Sequence, residues 1–111
     1  MREDKVYVEY ILQCINLIEA YCKGEKEIFL NNLMVQDAIL RRLQTLAEST
    51  QRLSVNFKKE NSDIDWRSIS GFRNILVHDY LSGIDLDIAW KVGKTYLPDL
   101  KQKLEKILQS F

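Results

Sequence analysis

Leu86-Asp87-Ile88-Ala89-Trp90-Lys91-Val92-Gly93-Lys94-Thr95-Tyr96-Leu97-Pro98-Asp99-Leu100-Lys101-Gln102-Lys103-Leu104-Glu105-Lys106-Ile107-Leu108-Gln109-Ser110-Phe111 is the stretch that decides the fold. Leu86, Trp90, Gly93, Leu97, Leu100, Leu104, Leu108 and Phe111 recur at steps of three and four, which draws one apolar stripe along a helix. Pro98 has no backbone N–H to give and crowds the preceding turn, so the expected helix is long and bent there. The same spacing returns at Tyr7, Ile11, Cys14, Ile18 and Tyr21, a first helix running from Tyr7 to about Gly24. Leu33, Leu40, Leu43, Leu46 and Leu53 mark a second, from Asn31 or Asn32 to about Ser54. The polar stretch from Phe57 to Asp63, with Lys58, Lys59, Asn61 and Ser62, reads as a connection. A third helix, capped by Ser62 or Asp65, carries Trp66, Ile69, Phe72 and Leu76 and ends near Ser82-Gly83, where glycine accepts the left-handed cap. No segment alternates as a strand does. The expected fold is all-α, an antiparallel four-helix bundle in one domain over residues 1–111.

With 46% hydrophobic residues and a single proline, the chain has the composition of an ordered globular protein. Sixteen basic side chains balance sixteen acidic ones, so no global field draws in a polyanion, and any RNA contact must come from a local patch. The charged opening Met1-Arg2-Glu3-Asp4-Lys5 lacks the apolar core of a signal peptide, and no apolar run is long enough to span a bilayer. The expected location is cytoplasmic. Cys14 and Cys22 lie eight positions apart on one helix, about 12 Å at the helical rise, too far for a disulfide. One distant histidine and no second cysteine pair give no zinc-ligand spacing, so both cysteines read as reduced core residues.

Function concentrates in Arg73-Asn74-Ile75-Leu76-Val77-His78-Asp79-Tyr80, which holds the only histidine of the chain. An imidazole exchanges a proton near neutral pH, and a guanidinium presents a planar fork to a phosphate. Together they suffice to cleave a phosphodiester with no metal or other cofactor. His78 would take a proton from a ribose 2′-hydroxyl or return one to the leaving 5′-oxygen, while Arg73 holds the scissile phosphate. The ends expected are a 2′,3′-cyclic phosphate or 3′-phosphate and a 5′-hydroxyl. Asn74 would orient the imidazole or the substrate. Asp79 reads either as a tuner of His78 or, more in keeping with exposed carboxylates, as a solvated residue at the helix end. The plainer reading of a lone histidine on a helix is a surface or hydrogen-bonded residue. Five helical positions turn a side chain by about 140°, so Arg73 and His78 leave different faces, whereas Asn74 and His78 share one, and Arg73 and Tyr80 another. A two-fold dimer in which third helices approach would bring both into one cleft, and that interface is expected.

Arg73, Asn74, His78 and Tyr80 reproduce the Arg-x4-His-x-Tyr signature of HEPN-domain proteins. The chain resembles in particular the HepT-like toxins paired with minimal nucleotidyltransferase antitoxins. The resemblance extends to Gln36-Asp37-Ala38-Ile39-Leu40-Arg41, to Asp65-Trp66-Arg67-Ser68-Ile69-Ser70-Gly71-Phe72 and to Leu97-Pro98, and so covers essentially the whole chain. It implies a homodimeric four-helix bundle with a composite, metal-independent ribonuclease site. It also implies a type VII-like toxin–antitoxin pair, in which the nucleotidyltransferase transfers AMP from ATP-Mg to Tyr80 and so fills the substrate phosphate site. Tyr80 has two other readings, core aromatic and substrate contact. Arg42 and Ala47 depart from the asparagine and glycine common in such relatives, which touches subtype and partner choice more than chemistry. Gln36, Asp37, Arg41 and Glu48 of the second helix either face the same cleft or form a solvated face. Two other functions fit the same residues: a non-catalytic nucleotide- or nucleotidyltransferase-binding module, in which the polar cluster holds a phosphate without cleaving, and a purely structural dimerisation domain.

Overall fold

The computed structural model describes residues 2–79 and 83–111, with Arg2 described by its backbone alone. Six helices follow in order: α1 (Arg2–Cys22), α2 (Lys26–Asn31), α3 (Leu33–Arg52), α4 (Val55–Glu60), α5 (Trp66–His78) and α6 (Leu86–Gln109). The four long ones are the expected bundle helices; α2 and α4 are short helices set between them.

Each end has a local cause. Lys23 and Gly24 take the left-handed conformation, at φ +53° and +72°, and stop α1. Asn32 ends α2 and begins α3 at once: its backbone is extended, and its Oδ1 accepts the Val35 N–H at 3.1 Å. Asp65, and not Ser62, caps α5, accepting from the Ser68 N–H at 3.1 Å and the Ser68 hydroxyl at 2.7 Å. Those bonds, the hydroxyl first, hold the Asp65 carboxyl below the usual carboxylate range. Asp85 caps α6 through the Asp87 and Ile88 N–H groups. The last helix runs on through Pro98, leaving the Lys94 carbonyl without its intrahelical N–H.

Two expectations are corrected. The polar stretch from Phe57 to Asp63 is a connection only from Asn61 on, because Val55–Glu60 forms a helical turn and a half. Ser54 caps it, accepting the Phe57 N–H at 3.1 Å, and Phe57 goes into the core between Trp66 and Phe111, at ring centroid distances of 6.1 and 6.0 Å. The buried Asp4 carboxylate receives both the Ser54 N–H and its hydroxyl at 2.8 Å, tying α4 to the start of α1. The third long helix also stops sooner than expected. Its last helical residue is His78, while Gly83, at φ +101°, lies beyond.

Asp4 meets Ser54 and Cys14 meets Thr45, so α1 and α3 run antiparallel. Arg73 lies against Glu48, and Leu76 and Val77 near Leu40 and Arg41, which sets α5 antiparallel to α3. Phe29 stacks on Trp90 and Lys26 pairs with Asp87 at one end, while Phe111 reaches Phe57 at the other, so α6 runs back along α1. The core sits where these stripes meet, with Val8, Ile11, Cys14, Phe29 and Leu104 almost wholly shielded. Both cysteines are free and buried there, as expected. Leu33, assigned by spacing to the apolar stripe, is instead largely exposed at the first turn of α3. An open apolar cleft of about 400 Å³ separates α5 from α6, floored by Leu43, Leu46 and Ala47 of α3. Among the described residues, no helix is long and apolar enough to cross a membrane.

Candidate functional site

Asp65 starts α5 and the Ile69, Phe72 and Leu76 stripe turns it onto the core. That phase fixes where the polar residues of its last two turns point. Leu76 is buried, so Asn74, Ile75 and His78 look outward and are exposed. Asn74 and His78, one turn apart, share that outer face as their spacing predicts. Asp79 is the exposed C-cap, its N–H donating to the Ile75 carbonyl at 3.0 Å. Tyr80, the expected modification acceptor, lies outside the described residues.

Arg73 takes a different direction. Its side chain, 30% exposed, leans toward α3, where Nε stands 4.0 Å from Oε1 of Glu48. That separation is an ion pair and too long for a hydrogen bond, so the Nε–H is buried with no acceptor. Nη1 donates to Oδ1 of the neighbouring Asn74 at 3.3 Å. The same Glu48 oxygen that faces Arg73 accepts from Nε2 of Gln44 at 2.9 Å, one turn earlier on α3. The guanidinium is therefore held between a tethered carboxylate on α3 and the Asn74 amide, which carries it toward the face that holds His78.

The second-helix candidates divide. Asp37 and Arg41 are exposed and line a cleft of about 300 Å³ with Leu40, Gln44, Leu76, Val77 and Ile84, beside the last turn of α5. Gln36 does not join them: its Nε2 donates to the Leu30 carbonyl at 3.0 Å, closing the end of α2. Gln44 carries no family or charge signal, and only its four-residue spacing from Glu48 could have pointed to it. The cations here, Arg41 and Arg73, are matched by Asp37, Glu48 and Asp79, in line with the balanced charge of the chain. Among the described residues no three histidine, cysteine, aspartate or glutamate side chains converge as metal ligands would. The two departures from the family pattern lie elsewhere. Arg42 sits in the seam between α1 and α3, donating to the Tyr10 hydroxyl at 3.4 Å, and hydrogen bonding to Tyr21 pushes its pKa up. Ala47 is core.

The arrangement can bind an anion through Arg73 and exchange a proton at His78. It does not focus both on one point from a single helix, since the two side chains leave different faces.

The family model described as "HepT-like: Ribonuclease HepT-like" matches residues 11–107. A Methanocaldococcus jannaschii protein named "Gamma-glutamylcyclotransferase and putative RNase" is 36% identical over 98% of the chain, which spans 50% of that relative. A Thermococcus cleftensis protein named "Probable ribonuclease HepT" is 35% identical, with 96% of both chains aligned. A second M. jannaschii protein, named "Putative RNase", is 30% identical over 94% of this chain and 95% of its own. No solved structure gives a significant match.

Proposed function

The chain belongs to the HepT-like ribonuclease family, and from that premise we propose that it is a metal-independent endoribonuclease, the toxin of a toxin–antitoxin pair. The observation that carries the reading is the end of α5, where Arg73 is anchored beside Glu48 while Asn74 and His78 stand exposed one turn apart. In the proposed reaction His78 removes the proton of a ribose 2′-hydroxyl, and that oxygen attacks the adjacent phosphorus. The bond from phosphorus to the 5′-oxygen breaks, and the protonated His78 returns that proton to the leaving oxygen. Arg73 balances the charge that gathers on the phosphoryl oxygens in between. The products are a 2′,3′-cyclic phosphate and a 5′-hydroxyl.

Two copies related by a two-fold axis form the site, because one helix divides Arg73 and His78 between faces. Ile75, half exposed beside Asn74 and His78, supplies apolar area for that contact. The proposed partner is a minimal nucleotidyltransferase that silences the toxin by placing AMP on Tyr80, two positions beyond His78. The added phosphate would compete for Arg73 and repel RNA.

The test is cleavage of total RNA in excess EDTA by protein whose mass shows Tyr80 unmodified, beside Arg73→Ala and His78→Ala. Cleavage that survives chelation, leaves cyclic or 3′-phosphate ends and falls by about 10²-fold or more in both variants is the expected result. Intact RNA with the unmodified protein would instead indicate a module that binds nucleotide without cleaving.

A further inference from the structure

Glu48 is out of place in a site that must attract a phosphate. A carboxylate 4.0 Å from Arg73 repels the same anion that Arg73 attracts, and it is only 35% exposed, so water screens it incompletely. It is also not idle on the surface, because Gln44 Nε2 fixes at 2.9 Å the very oxygen that faces Arg73. Arginine has five N–H donors in a rigid plane, and which edge it shows decides what it can bind. Here Nε faces Glu48 and Nη1 reaches Asn74 at 3.3 Å. What remains for a ligand is the outer Nη edge.

We propose that Glu48, tethered by Gln44, is a positioning residue that sets the plane of the Arg73 guanidinium, so that its Nη edge meets the scissile phosphate. The proposal rests on the ribonuclease reading and adds a residue from a different helix to its machinery. Glu48 touches no reacting atom. It acts by holding a long, freely rotating side chain in one orientation before substrate arrives, and misplacing such a group by about 1 Å costs on the order of a hundredfold in rate.

Charge and orientation make opposite demands, and this gives the test its edge. Glu48→Gln removes a negative charge beside the substrate anion, so electrostatics alone lowers KM and leaves or raises kcat. Loss of orientation lowers kcat about tenfold or more while KM stays level or falls. The experiment measures kcat and KM on a single-site RNA oligonucleotide for the wild type, Glu48→Gln and Gln44→Ala, and follows the Arg73 Nε–H resonance by ¹⁵N NMR. Expected are a lower kcat in both variants with KM not raised, and an Arg73 Nε–H signal moved toward that of a solvated arginine. Gln44→Ala leaves the Glu48 charge in place and serves if Glu48→Gln does not fold. Unchanged or raised kcat in both, with RNA cleaved normally by the wild type, overturns the proposal and leaves the ribonuclease reading standing. If the wild type cleaves no RNA, that reading falls, and an unmoved Nε–H signal in the variants overturns the positioning role as well; a moved signal supports Glu48 as the group that orients Arg73.

Discussion

At the scale of single residues, type and spacing single out Arg73, Asn74 and His78, and Glu48 is among the polar candidates of the second expected helix, but its pairing with Arg73 is not written in the sequence. The helical phase set by Leu76 puts Asn74 and His78 outside, where the spacing places them. Glu48, held by Gln44, faces Arg73 from another helix, and nothing in a one-dimensional pattern says which residue of α3 lies across from position 73. Gln36 shows a third outcome, neither cleft nor solvated face. It belongs to a polar segment typical of the family, yet its amide closes α2 because the chain breaks at Asn32 and folds back beside it. Asp65 carries a residue-scale prediction in its cap. Its carboxyl is held below the usual range by the Ser68 hydroxyl and N–H. A group whose folded pKa is depressed stabilises the fold above its unfolded pKa, and that contribution drains away as pH falls through the folded value. Asp65→Asn should therefore lower Tm at neutral pH and converge with the wild type in acid; melting curves from pH 7 to pH 2 that stay parallel would assign the cap no ionic part.

At the scale of elements, the long amphipathic helices follow from periodicity because each repeats its signal over many turns. The short ones do not announce themselves. A helix of six residues such as α4 holds one apolar anchor, Phe57, and outward Lys59 and Glu60, so its composition is that of a loop. What makes it a helix is the Ser54 cap, the Asp4 carboxylate behind that cap and the aromatic contacts of Phe57 with Trp66 and Phe111. All three reach across the chain. The early end of α5 has a similar character: Gly83 was the visible stop signal, but the helix yields at Asp79, whose N–H already closes back on Ile75. Phe57→Ala removes the anchor and is expected to cost about 3 kcal/mol, with the loss confined at first to α4 and the ends of α1 and α6. Hydrogen exchange should show those amides opening while α3 and α5 keep their protection. Uniform acceleration along the chain would mean that α4 is a cooperative part of the bundle and not a clasp on it.

At the scale of the molecule, the question is how a helix that points Arg73 and His78 apart can bring them to one phosphate. Within one chain the guanidinium is drawn toward α3 while the imidazole leaves from the opposite side of the last turn. A two-fold axis beside α5 resolves this, since an isologous contact sets Arg73 of each copy against His78 of the other and makes two equivalent pairings. Arg73→Ala and His78→Ala, each inert alone, then complement one another. Mixed in equal amounts and refolded together, they should recover roughly a quarter of wild-type cleavage, because half the dimers are mixed and one of the two pairings in each is whole. Light scattering should give twice the chain mass for every sample, so that recovery reports exchange of subunits and not assembly of a larger species. A mixture that forms mixed dimers yet stays inert would place Arg73 and His78 of the same chain on the same phosphate.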